Sequence, residues 1–129
     1  MRVLIDTHVF LWWASERGAR VSEWARELLG DGTNQVSMSM ASAWEIAIKV
    51  GSGRMVPPEP IERYLPDRLR HHGFDLMSIE LPHVLRAGEL PRLHGDPFDR
   101  MIVAQAQIEG LPILTADPAI SRYDVETIW

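Results

Sequence analysis

The chain has no cysteine in its 129 residues. That excludes a disulfide framework, a thiolate zinc site, an iron–sulfur cluster and a cysteine nucleophile, and it fits a cytoplasmic protein. Lysine is nearly missing as well: of the 13 basic residues, twelve are arginine and only Lys49 is lysine. Long apolar runs are lacking, because the longest, Val9 to Ala14, is far short of the roughly 20 residues that cross a bilayer. The opening MRVLIDTHVF is charged at Asp6 and has no small-residue cleavage site, so neither a secretory leader nor a membrane anchor is expected. No internal repeat, low-complexity tract or linker interrupts the chain. What is present is ordinary for a globular protein: 46% apolar and 24% charged residues. Length and composition together predict one domain over residues 1–129, large enough to bury a core without staples.

Apolar segments and turn signals alternate along the chain. Arg2–Ile5 reads as a short buried strand, and Thr7 as the cap of an almost uniformly apolar helix through Val9–Ser15. Ser22 opens a second helix ending at Gly30. Asn34–Ser37 reads as a strand, and Met40–Val50 as a helix stopped by Gly51-Ser52-Gly53. Pro57, Pro58 and Pro60 lead into a helix running to His72, with Gly73 beyond its end. Phe74–Ile79 is a third strand and Pro82–Gly88 a short helix. Asp96-Pro97 starts a long helix ending at Gly110. Leu111–Thr115 and Val125–Trp129 complete five strands. Such alternation predicts an α/β fold, a parallel sheet with helices on both faces, whose strand ends form the ligand-binding edge.

Four acids fall where that edge is expected. Asp6 follows the first strand and Asp117 the fourth; Asp99 sits in the first turn of the long helix, and Glu45 on the helix after the second strand. Each has a plain structural reading. Asp96 before Pro97 and Asp117 before Pro118 match helix caps, and Asp99 suits the third helical position. Ser42-x-x-Glu45 reads as a capping box, Glu45 is spaced to pair with Lys49, and Asp6 can cap the first helix. Jointly they point elsewhere. Clustered carboxylates repel and raise one another's pKa, and a divalent cation offsets that cost. Hard ions such as Mg²⁺ or Mn²⁺ take oxygen ligands and support in-line attack of water on a phosphodiester.

Four stretches carry a resemblance covering nearly the whole chain: VLIDTHVFLWW at 3–13, SAWEIAIKVGSGR at 42–54, HGDPFDRMIVAQAQ at 94–107 and LPILTADPAI at 111–120. In that order and spacing they resemble the PIN domain, specifically the VapC-type toxin ribonucleases of bacterial toxin–antitoxin pairs. The resemblance implies a three-layer α/β/α domain around a parallel sheet of about five strands in the order 3-2-1-4-5. It implies a Mg²⁺ or Mn²⁺ site and endonucleolytic RNA cleavage leaving 5′-phosphate and 3′-hydroxyl ends. It carries catalytic and metal-binding roles onto Asp6, Glu45, Asp99 and Asp117, with Asp6 and Asp99 the direct ligands. Glu45 and Asp117 bind through water or handle the nucleophile's proton. Thr115 matches a hydroxyl position near the site, and Thr7 and Asp96 are supporting residues, Asp96 chiefly as a cap. The implied partners are the RNA substrate, a VapB-type antitoxin that places an arginine or another side chain in the acidic pocket, and a second copy of the chain.

The net charge of −5 argues against broad nucleic-acid binding. Setting the four site acids aside leaves 14 acids against 13 bases, so an RNA path need only be local. Arg63, Arg68, Arg70, His71 and His72 are candidate phosphate contacts on one helix, although a solvated helix face explains them equally. His8 and His94 flank the acidic motifs, as substrate contacts or as polar turn residues. Trp12, Trp13, Trp24 and Trp44 are candidates for interfaces, with core packing the simpler reading for at least two. A receiver-type Mg²⁺-binding signalling domain is disfavoured: it needs paired acids after the first strand and a lysine late in the chain. A haloacid-dehalogenase-type phosphatase needs a second Asp where His8 stands. A Rossmann domain needs a glycine-rich turn in place of Asp6-Thr7-His8-Val9. A catalytically silent PIN-fold module that binds RNA or protein remains the serious alternative.

Overall fold

The strand Arg2–Ile5 (β1) sets the architecture, because its side chains alternate between two buried faces. Val3 and Ile5 enter one apolar core and Leu4 the other, which is the period-2 pattern of a strand covered on both sides. The computed structural model describes residues 1–15 and 18–129. After β1 come α1 (Thr7–Ser15), α2 (Glu23–Gly30), β2 (Gln35–Ser39), α3 (Met40–Gly51), α4 (Ile61–His72) and β3 (Asp75–Met77). Then follow α5 (Leu81–Glu89), α6 (Pro97–Glu109), β4 (Ile113–Leu114), α7 (Pro118–Ser121) and β5 (Thr127–Ile128). The strands form one sheet in the order β3-β2-β1-β4-β5, and all four pairings are parallel.

One core packs Val9 and Phe10 of α1, Ala25, Leu28 and Leu29 of α2 and Leu69 of α4 against Val3, Val36 and Met38. The other packs Ile102, Val103 and Ala106 of α6 and Ile120 of α7 against Leu4 and Ile113. Helices thus cover both faces, and the three-layer α/β/α expectation holds. No helix among the described residues is long and apolar enough to cross a membrane.

Several boundaries differ from the sequence expectation for physical reasons. β2 runs on to Ser39 and passes directly into α3, with the Ser39 hydroxyl accepting from Ala41 N at 3.0 Å. Ser39 is therefore the cap, and the Ser42–Glu45 capping box does not form; Ser42 is buried inside the helix instead. Thr7 is likewise not the cap of α1. Asp6 takes that role, accepting from Val9 N at 2.9 Å, and Thr7 is the first helical residue. β3, β4 and β5 are shorter than expected because their pairing covers only two or three positions.

Candidate active site

Strand order fixes where a site can lie. β1 connects onward to β2 on one side, while β4 lies on its other side, so the β1–β4 seam is the point where the winding reverses. In parallel sheets ligands bind there, beyond the carboxyl ends of the strands. Ile5 pairs with Leu114, and Asp6 and Thr115 each lie one residue past that pair. Their side chains meet: the Thr115 hydroxyl donates to Asp6 Oδ2 while Asp6 Oδ1 caps α1. Thr115 Oγ1 in turn accepts from Asp117 N at 3.0 Å, and Asp117 Oδ1 caps α7 through Ala119 N at 2.9 Å.

The long helix α6 feeds β4, so its N-terminus lies at this same edge. Asp96 caps it, accepting from Phe98 N at 2.9 Å and Asp99 N at 3.1 Å, which bears out its reading as a cap. Asp99 is left uncapped, one turn in, and its Oδ2 lies 3.4 Å from His94 Nε2. The capped N-termini of α1, α6 and α7 thus present their positive dipole ends to the acids, a modest favourable term.

Charge coupling and burial act together on these acids. Burial pushes the Asp99 carboxyl up to about 6; the neighbouring charges of Asp96, Asp117 and Asp6 add to the rise, and the His94 contact opposes it. Burial also raises the Asp6 pKa, with Asp117 contributing and the Thr115 and Val9 hydrogen bonds opposing it. Asp6, Asp99 and Asp117 therefore share one field. Glu45 stands slightly apart. It lines an open groove of about 320 Å³ with Lys49, Arg54, Asp96 and Phe98, and it pairs with Lys49 at 3.6 Å as its spacing suggested. Thr7, buried beside Asp6, donates to Ser42 Oγ at 2.8 Å and so ties α1 to α3 below the acids. Among the described residues no three His, Asp or Glu side chains form a ready cage for an ion.

Most of the basic cluster lies away from these acids. α4 leads into β3, so its C-terminal end, with Arg68, Arg70, His71 and His72, sits toward the opposite edge of the sheet. His72 packs between Trp13, at the far end of α1, and Phe74, with ring centroids at 6.0 and 5.5 Å. Arg70 pairs with Asp67 at 3.0 Å, and Arg63 is exposed near the start of the helix. Lys49 and Arg54 share the groove with Glu45 and Asp96. Of the tryptophans, Trp12 and Trp13 pack on the core, as the simpler reading had it. Trp24 and Trp44 are 51% and 63% exposed. Trp44 meets Phe98 edge-on at 5.4 Å, beside Glu45 and Asp99 in sequence. His8 is exposed, with its ring 6.1 Å from that of Trp12.

Sequence reasoning missed two participants. Tyr123 Oη lies 2.7 Å from His94 Nδ1, and Arg100 Nη1 donates to the same oxygen at 3.3 Å. No local motif marks Tyr123. Arg100 was in view as the residue after Asp99, but its reach was not.

The PIN domain profile matches residues 3–126. Ribonuclease VapC16 of Mycobacterium tuberculosis is 43% identical over 58 residues, a stretch that spans 45% of this chain and 41% of that relative. The structure of VapBC2 from Rickettsia felis, bound to a promoter DNA fragment, superposes with a TM-score of 0.74 at 16% identity, covering 99% of this chain and 98% of that one. VapBC from Salmonella typhimurium gives 0.68 at 14%, covering 99% and 97%. These likenesses show a shared fold. The chain belongs to the PIN domain family.

Proposed function

We propose that this chain is an endoribonuclease dependent on a divalent cation, Mg²⁺ or Mn²⁺, and the toxin of a VapBC-type toxin–antitoxin pair. The observation that carries the reading is the placement of Asp6 and Asp117 just past β1 and β4, linked through the Thr115 hydroxyl, at the edge where the N-terminus of α6 carries Asp99. A fold that holds unneutralised carboxylates against their own repulsion is prepared for a cation. The donor set fits a hard ion, being all carboxylate and hydroxyl oxygen. Mg²⁺ keeps several waters and takes one or two carboxylates plus substrate phosphate. Kinship with a protein named as a VapC ribonuclease supports the choice of RNA.

In this reading Asp6 and Asp99 hold the ion. Such an ion would supply charge to offset the phosphodiester and to lower the pKa of a water. Thr115 and Val9 N fix the Asp6 carboxylate in place. Asp117 and Glu45 orient the attacking water and accept its proton. Water adds to phosphorus, the bond from phosphorus to the 3′ oxygen breaks, and that oxygen takes a proton from solvent to leave as the 3′-hydroxyl, with 5′-phosphate on the other fragment. Lys49 and Arg54, in the groove with Glu45 and Asp96, offer phosphate contacts, and Phe98 a surface against which a base can lie. A VapB-type antitoxin silences the site by placing an arginine across Asp6 and Asp99, since a guanidinium bridges carboxylates as a cation does. A second copy of the chain is the other partner this reading implies.

The end chemistry of a cut synthetic RNA tests the mechanism. Fragments with 5′-phosphate and 3′-hydroxyl ends are expected. A 2′,3′-cyclic phosphate overturns it, because the nucleophile is then the ribose hydroxyl and not water.

A further inference from the structure

Arg100, Tyr123, His94 and Asp99 form one continuous chain of contacts. Arg100 Nη1 lies 3.3 Å from Tyr123 Oη, Tyr123 Oη 2.7 Å from His94 Nδ1, and His94 Nε2 3.4 Å from Asp99 Oδ2. The chemistry of the two ends selects one proton arrangement that pairs every hydrogen along the chain. A guanidinium has only donors, so the Tyr123 oxygen accepts from Arg100, and pairing its own hydrogen within the chain of contacts requires that it point to His94 Nδ1. Nδ1 is then the acceptor of a neutral imidazole, and Nε2 carries the proton. An ionised carboxylate has only acceptors, so Nε2–H donates to Asp99. One arrangement satisfies all four groups.

The anchor is rigid. Besides Tyr123, Arg100 donates to the carbonyls of Pro91 at 2.8 Å and of Ala87 and Leu90 at 3.0 Å each. It therefore grips the end of α5 and the turn beyond it. Tyr123 is buried in the α6-side core, which holds its hydroxyl in place against His94 Nδ1. Arg100 and Asp99 are adjacent on α6, and the chain closes back on its own helix through two side chains from other parts of the fold.

We propose that Tyr123 and His94 are positioning residues for the acidic site: anchored by Arg100, they fix the His94 tautomer and hold Asp99 Oδ2 by a single directed hydrogen bond. This keeps the Asp99 carboxylate from rotating and leaves its other oxygen for the cation. The inference rests on the reading of Asp99 as an ion ligand given above. Hydrogen-bond partners of ligating groups are worth about 10–100-fold in metal affinity when removed.

The test uses the purified full chain at pH 8, with three variants: Tyr123→Phe, His94→Gln and His94→Ala. Nitrogen NMR of the histidines reads the tautomer, titration calorimetry with MnCl₂ reads the affinity, and melting reads the fold. His94 is expected as the Nε2–H tautomer in the wild type and as a mixture in Tyr123→Phe. Tyr123→Phe is expected to bind Mn²⁺ about tenfold more weakly with an almost unchanged melting temperature. His94→Gln, which keeps a donor for Asp99, should bind better than His94→Ala. A wild-type Nδ1–H tautomer, or Mn²⁺ affinity unchanged in Tyr123→Phe, overturns the proposal. A wild type that binds no Mn²⁺ overturns the metal reading itself, while the tautomer on the same sample still decides the chain of contacts.

Discussion

The Thr115 hydroxyl donates to Asp6 Oδ2 across 109 positions of sequence. The same hydroxyl oxygen accepts from Asp117 N at 3.0 Å, so one small side chain links the acids that end β1 and β4. Thr115→Val keeps the shape and removes both bonds. A buried carboxylate oxygen loses its partner, which costs roughly 1–3 kcal/mol. Urea unfolding at neutral pH should show that loss, and Thr115→Ser should recover most of it.

Asp99 predicts a pH dependence of the metal-free protein. Its folded pKa of about 6 lies above the ordinary value of 3.8, so the folded state disfavours the ionised form. Its contribution to stability is fully present below about pH 4 and is lost as pH rises through 6. Asp99→Asn should therefore be more stable than the wild type at pH 7–8, on the order of 1–2 kcal/mol after allowance for solvent screening. The difference should vanish near pH 4. Urea unfolding at the two pH values measures it.

Divalent cations should reverse that penalty. An ion that binds only the folded cluster stabilises it by mass action, about 2.7 kcal/mol at a hundredfold excess over Kd. Millimolar Mg²⁺ or Mn²⁺ should raise the melting temperature by several degrees. Asp6→Asn should shrink the shift by removing a ligand. An unmoved wild-type melting curve would refute the metal site.

The C-terminal half of α4 lies toward the opposite edge of the sheet from the acids. Arg68→Ala and Arg70→Ala should accordingly leave RNA cleavage within about twofold, whereas Arg54→Ala, in the groove beside Glu45 and Asp96, should raise KM severalfold. Steady-state cleavage of one synthetic RNA compares them.

The layers were legible because alternation and turn chemistry are local; the strand order is not local, and only the resemblance to the PIN domain implied it. Asp6 and Asp117 stood out by following apolar strands, and Asp96 by preceding a proline. Ser39 was not legible as a cap, because QVSMSMAS offers serines at 37, 39 and 42 and only the length of β2 chooses among them. The basic run on α4 was easy to see but not to place, since which edge it faces depends on the helix direction relative to β3. His94 and Tyr123 lie 29 positions apart and meet only because the fold brings the turn before α6 beside the turn after α7, which no spacing rule encodes.

Cleavage of total cellular RNA by the antitoxin-free protein, with Mn²⁺, with EDTA and beside Asp99→Asn, tests the central claim most directly. Discrete cuts that require Mn²⁺ and disappear in EDTA and in Asp99→Asn are predicted. Cutting that persists equally in EDTA or in the variant, or no cutting by a folded, Mn²⁺-bound wild type on any cellular RNA, would contradict it.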